Sequence, residues 1–155
     1  MKIYTDGSCS GNGNAENTGG FSVVIVDDDD NLVETYSRSS KNTTNNREEL
    51  KAILYAFLRF GTKGENISTI YSDSSYSINT YTTWMFGWAK NDWVKSDKKT
   101  PENLDIIKEF YTHWQKGYRI HMRHVRGHAE NKWNNIADKL AVKATNGKEE
   151  RYVAK

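Results

Sequence analysis

The chain has 155 residues, 22 of them Lys or Arg and 20 Asp or Glu, for a net charge of only +2. That length buries a core in one compact domain without disulfides, and the single cysteine, Cys9, excludes an intramolecular disulfide framework and fits a reducing, cytoplasmic compartment. The charge balance excludes holding nucleic acid by bulk charge, so such a partner must be met by local patches; no secretory segment or membrane-spanning run is present.

Residues 1–5 read as a short first strand with Ile3 and Tyr4 on opposite faces, closed by Asp6. A loop rich in glycine and asparagine follows to Gly20; it has neither the Walker spacing nor the dinucleotide fingerprint. Residues 21–26 are a β-branched strand, 27–30 an acidic hairpin turn without EF-hand spacing, and 32–39 the returning strand. Threonines and asparagines at 42–46 suit a turn and an N-cap before a helix over 46–60.

In that helix Glu49, Ala52, Ile53, Ala56, Phe57 and Phe60 follow the three-and-four spacing of a buried stripe. Glu49 is thus a carboxylate at the top of an apolar face, costly there unless it is paired or holds a metal. A first-turn glutamate capping its own helix is the alternative. Glu48 falls with Lys51, Tyr55 and Arg59 on a wetter side.

Residues 66–72 form a further strand ending at Asp73, and strand–helix–strand in this order implies a right-handed crossover between parallel neighbours. Helical material is expected over 75–83. Then comes an unusual segment, in which Trp84, Trp88 and Lys95 share a rough helical spacing. A helix over 102–116, a last strand over 118–125, a polar loop, a closing helix over 135–144 and a polar tail with no demanded structure complete the chain. The order indicates an α/β fold, a mixed sheet with helices on its faces.

Four acids stand at element ends: Asp6, Glu49, Asp73 and Asp138. Ligands gather at the carboxyl ends of strands where strand order changes. If the first and fourth strands are parallel neighbours, Asp6 and Asp73 face each other, and a cation offsets their repulsion. An all-oxygen donor set selects magnesium, or manganese, over zinc. Carboxylates holding two such ions clamp a phosphodiester and activate water for in-line attack. His128, between Gly127 and Ala129, is either a surface residue or a proton shuttle beside that centre. His121 and His124 lack zinc-site spacing and read as structural.

These pieces resemble the ribonuclease H family, type 1: Tyr4-Thr5-Asp6-Gly7-Ser8-Cys9, Thr44-Asn45-Asn46-Arg47-Glu48-Glu49-Leu50, Tyr71-Ser72-Asp73-Ser74, Val125-Arg126-Gly127-His128-Ala129 and Ala137-Asp138-Lys139-Leu140-Ala141. The resemblance spans residues 1–145 as one catalytic domain and leaves 146–155 as a short tail. It implies a five-stranded mixed sheet, with the first three strands antiparallel. It further implies Asp6, Glu49, Asp73 and Asp138 as ligands of two magnesium ions and His128 as the family's flexible histidine. The activity implied is hydrolysis of the RNA strand of RNA/DNA hybrids, leaving 5′-phosphate and 3′-hydroxyl ends, by a monomer with no membrane partner.

The same resemblance implies that Asn12, Asn45 and Ser75 meet the RNA strand and its 2′-hydroxyls, which A-form-like duplexes display in a wide minor groove. It implies that Thr44 meets a phosphate of the DNA strand, with Arg47 supporting that loop. Residues 84–99 resemble the handle that grips the duplex, with Trp84, Trp88, Trp93, Lys90, Lys95, Lys98 and Lys99 as its contacts. Three departures stand out. The loop 14–18 is longer than the family's turn, position 75 is serine where a longer amide is common, and Lys90-Asn91-Asp92 stands where a basic triplet is usual. A noncatalytic hybrid-binding module is the alternative reading, although such modules usually lose one of the four acids. A polymerase-borne domain would be expected to continue beyond both ends, and the His128 loop favours hybrid cleavage over a DNA-cutting integrase.

Overall fold

A computed structural model describes residues 1–11, 16–126 and 131–154. The elements in order are β1 (Lys2–Ser10), β2 (Thr18–Val26), β3 (Leu32–Lys41), α1 (Asn45–Phe60), β4 (Thr69–Ser72), α2 (Ser75–Asn79), α3 (Met85–Lys90), α4 (Leu104–Gln115), β5 (His121–His124), α5 (Lys132–Thr145) and β6 (Arg151–Val153). One π-helical turn, Thr80–Trp84, joins α2 to α3.

The strands form a single mixed sheet in the order β5-β4-β1-β2-β3-β6. β1, β2 and β3 are antiparallel neighbours, and β4 lies parallel to β1 on one side and β5 on the other. The crossover through α1 joins β3 to β4, and these are not the neighbours the sequence leads one to expect: the connection passes over β2 and β1, and β4 pairs with β1 instead. β1 is longer than its apolar alternation suggests: it pairs with β2 from Lys2 to Ser10, so Asp6 lies inside the strand instead of closing it.

The sheet has a sixth strand beyond the five expected. The polar tail carries β6, which pairs antiparallel with Glu34–Tyr36 of β3. Ser37 donates its amide to the Glu150 carbonyl, Ser39 to the Glu149 carboxylate, and Arg151 lies 4.0 Å from Glu34. No apolar pattern announces this strand, because its residues are all exposed and its stabilisation comes from backbone pairing along an otherwise open edge.

Strand alternation divides the core. Ile3, Phe21, Val23, Ile25 and Ile70 face α1, α3 and α4, packing with Leu50, Ile53, Phe57, Met85, Ile107 and Phe110. Tyr4, Val24 and Val26 pack on the opposite face with Trp133, Ala137 and Leu140 of α5. α5 is fixed closely on that face, where the Ser22 hydroxyl donates to the Ala137 carbonyl at 2.5 Å. Among the described residues, no helix is long and apolar enough to cross a membrane.

Candidate active site

The register of β1 on β4 places the first two acids. Tyr4 is opposite Tyr71, and their rings stack at 4.9 Å on the α5 side. Ladder pairing between the two strands ends there. Two residues further along each chain, on the same face by alternation, come Asp6 and Asp73.

Glu49 arrives from the first turn of α1, which sits directly on the sheet. A Cβ at Gly7 would lie 2.4 Å from the Glu49 nitrogen, and one at Gly19 would lie 2.5 Å from the Thr43 methyl group and 3.2 Å from Glu48 Cγ. Both positions must therefore lack a side chain for the helix to approach so closely. The result is one carboxylate oxygen each from Asp6, Glu49 and Asp73, all within 4.8 Å of one another. Asp138, on the second turn of α5, is not one of these three but meets Asp6 through a hydrogen bond and its charge.

Asp6 and Glu49 are buried. Burial first, then the charges of Asp73 and Asp138, pushes the Asp6 carboxyl up, while a hydrogen bond with Glu49 offsets part of this. Glu49 is also pushed well up, by burial first and then by the charge of Asp6. Its Oε2 is buried with no hydrogen-bond partner. The three acids could hold a cation, and an all-oxygen donor set fits a hard divalent ion.

The other expected site residues divide by place. Thr44 caps α1, its Oγ1 accepting from the Arg47 amide at 3.0 Å. Arg47 is engaged away from the acids, with its guanidinium bidentate on Asp105 at 2.7 and 3.0 Å and a further bond to Asn103 Oδ1. It thereby ties the start of α1 to the start of α4. Asn45 and Ser75 are exposed at the first positions of α1 and α2. Asn12 and His128 lie outside the described residues.

In the handle segment, Trp84, Trp88 and Lys95 line one cleft of about 500 Å³ with Tyr76, Ser96 and Glu102. The helical material expected over 75–83 runs on through the π-helical turn to Lys90, so Trp84 and Trp88 are helical and Lys95 is not. A turn with left-handed Asp92 and Trp93 then brings Lys95 back. Trp93 points elsewhere: its ring meets Tyr111 edge-on at 5.2 Å, beneath Lys108. Lys90, Lys98 and Lys99 are exposed, while Lys95 lies 3.8 Å from Asp97.

Glu48 corrects the sequence reading. Expected on the wetter side, it is fully buried. Its Oε2 accepts from Thr43 Oγ1 at 2.7 Å and from Lys51 Nζ at 3.1 Å, and its Oε1 from Ser40 Oγ at 2.9 Å. Because the glycine floor lets the helix start touch the sheet, neighbouring side chains splay to both sides. Glu49 goes toward β1 and β4, and Glu48 toward β2 and β3. Asn17 is a further residue that sequence reasoning misses: its side chain brackets the Thr43 peptide, accepting from Thr43 N and donating to Thr43 O, both at 2.8 Å. The hydroxyls at positions 40 and 43, just ahead of Glu48, are the available signal. His124 Nε2, at the end of β5, lies 3.2 Å from the Asp73 carbonyl.

A mixed sheet with one acid on β1, one just past β4 and others on helices on both faces defines an α/β protein with a carboxylate cluster that could hold a metal ion. The RNase H family model matches residues 1–146. The chain is 40% identical over 143 residues to a protein named Ribonuclease H from Thermoanaerobacter sp. (strain X514), covering 92% of this chain and 87% of that one. It is 38% identical to Ribonuclease HI of Haemophilus influenzae (strain ATCC 51907 / DSM 11121 / KW20 / Rd) over 143 residues, 92% of this chain and 88% of that one. Its fold matches the crystal structure of LC9-RNase H1, described as a type 1 RNase H with the type 2 active-site motif, with TM-score 0.76 and 29% identity over 99% of this chain and 76% of that one. The chain belongs to the ribonuclease H family, and is an enzyme of that class.

Proposed function

We propose that this chain hydrolyses the RNA strand of RNA/DNA hybrids endonucleolytically, leaving 5′-phosphate and 3′-hydroxyl ends. The observation that carries the reading is the convergence of Asp6, Glu49 and Asp73 within 4.8 Å, with a buried Glu49 oxygen left unpartnered.

Asp6, Glu49, Asp73 and Asp138 would hold two magnesium ions, with manganese as the alternative. When bound, such ions polarise the scissile phosphate, lower the pKa of the attacking water and stabilise the leaving oxygen. The protein's own part is to hold the acids ready: the glycine floor fixes Glu49 against β1, and the Tyr4–Tyr71 stack fixes the strands that carry Asp6 and Asp73. His128 would move a proton at the reacting phosphate as the product leaves.

Asn12, Asn45 and Ser75 would read the 2′-hydroxyls of the RNA strand. The Thr44 hydroxyl, whose oxygen already accepts from Arg47 N, keeps its own proton to donate to a phosphate of the DNA strand. Trp84, Trp88, Lys90, Lys95, Lys98 and Lys99 would hold the duplex further out, with Trp93 supporting the segment that carries them. Residues 1–145 act as the catalytic domain and function as a monomer in the cytoplasm.

Labelled RNA/DNA, RNA/RNA and DNA/DNA duplexes, each with magnesium and with excess EDTA, test this. Cleavage of only the RNA strand of the hybrid, and only with metal, is expected. Equal cutting of the DNA/DNA duplex, or full cutting in EDTA, would overturn it, and hybrid binding without any cleavage would favour the noncatalytic module.

A further inference from the structure

We propose that Glu48 is a positioning residue for the substrate, its buried carboxylate clamping residues 42–45 so that Thr44 and Asn45 are presented at fixed places. The inference rests on the hybrid reading above for what those two residues meet.

The starting observation is a full charge where helix stability does not need one. Thr44 already caps α1. An exposed first-turn glutamate would serve the helix dipole equally well. Burying a carboxylate is costly, and a buried ion pair is a weak source of stability but a better-attested source of fixed register. The Glu48 carboxylate has its partners on three elements: Ser40 on β3, Lys51 one turn along α1, and Thr43 in the connection between β3 and α1.

Thr43 is the link to substrate. Asn17 holds its peptide on both polar atoms, the Asn17 carbonyl accepts from the Asn42 amide, and Glu48 holds its hydroxyl. Thr43 is buried, whereas Thr44 and Asn45, which follow directly, are exposed. The connection thus consists of one anchored residue carrying two presented ones. Glu48 is not one of the converging acids among the described residues, although its neighbour Glu49 is. Glu48→Ala would leave the Thr43 and Ser40 hydroxyls and the Lys51 ammonium without their shared acceptor, while Thr43→Val would cut only the link to the connection.

The test compares wild type, E48Q, E48A, T43V and the E48A/T43V double variant. Steady-state kinetics on one RNA/DNA hybrid in magnesium are combined with amide hydrogen exchange at residues 42–45. E48A and T43V should each raise KM by about fivefold or more, roughly the worth of one hydrogen bond to substrate, with kcat kept within about twofold. The double variant should be no worse than E48A alone, since both cut the same link. E48Q, which keeps an acceptor oxygen and nearly the same shape, should fall between wild type and E48A. Exchange at 42–45 should quicken in E48A but not in α5. An E48A protein with wild-type KM and a lowered Tm would reduce Glu48 to a structural role and overturn the proposal. So would a fall in kcat at constant KM, which would place the effect on Glu49. If E48A does not fold, T43V alone decides by the same KM criterion. If the wild type does not cut the hybrid, the hybrid reading fails separately, and unchanged exchange at 42–45 in E48A would still overturn the clamp.

Discussion

Glu48 and Glu49, adjacent in sequence, are both buried and have their side chains on opposite sides of one docked helical turn: Glu49 converges with Asp6 and Asp73, whereas Glu48 accepts from Thr43 and Ser40. The two should therefore fail in different ways. Glu49→Gln takes a formal charge from the acid cluster proposed to hold the metal ions, at nearly constant shape. It should lower magnesium-dependent turnover by more than about 100-fold, since losing groups that merely orient metal ligands already costs about 10–100-fold. Glu48→Gln should keep most of kcat and lose about 1.5–3 kcal/mol of stability, the range for a hydrogen bond to a charged group. Turnover numbers and urea midpoints of both variants check this, and an inactive E48Q beside an active E49Q would reverse the assignment.

The clustered acids set a pH dependence in the metal-free protein. Burial and mutual charge raise Asp6 and Glu49 in the folded state, so between the ordinary carboxylate range and those raised values the folded state binds more protons than the unfolded one. Stability in EDTA should consequently fall as pH rises through that window. Glu49→Gln should flatten the fall and raise Tm at neutral pH. Magnesium should raise the Tm of the wild type more than that of E49Q. Thermal melts across pH, with EDTA and with magnesium, read all three effects.

His113 contributes a dependence of opposite sign. Its ring stacks on Tyr118 at 4.0 Å and meets Phe57 edge-on at 4.7 Å, and its Nε2 is buried without a partner. Burial first, then Lys116 and Lys63, holds its pKa below the usual histidine value. The unfolded state then binds the extra proton first, so the contribution is complete above about pH 6.5 and is lost as pH falls below it. In His113→Phe the loss of urea stability between pH 7.5 and pH 5 should be smaller than in the wild type. Equal slopes would remove His113 as the source.

For the handle, Lys90, Lys95, Lys98 and Lys99 lie on the segment that follows the Trp84–Trp88 cleft. Replacing all four with alanine should raise KM more than it lowers kcat, because phosphate contacts far from the reacting bond position without adding chemistry. The slope of log affinity against log salt should flatten by roughly 0.7–0.9 for each phosphate that is no longer neutralised. A salt slope equal to that of the wild type would show that the segment does not touch the duplex.

Much of the architecture is legible in the sequence alone. The β-branched run at 21–26 and the three-and-four stripe from Glu49 to Phe60 are periodic signals, and they predict a strand and a helix where β2 and α1 are found. Each acid alone reads as an ordinary cap or surface group, and only the set of four marks a site in the sequence; the structure brings one oxygen each of Asp6, Glu49 and Asp73 within 4.8 Å. Tertiary structure decided the rest. The wheel of an isolated helix turns Glu48 about 100° from Glu49 and toward solvent, but helix phase assumes a sheet with side chains beneath it. Gly7 and Gly19 remove those side chains, so the first turn descends until both glutamates are covered. Nor could the sequence announce β6, because pairing with β3 uses backbone groups that every residue carries and leaves no apolar pattern to read.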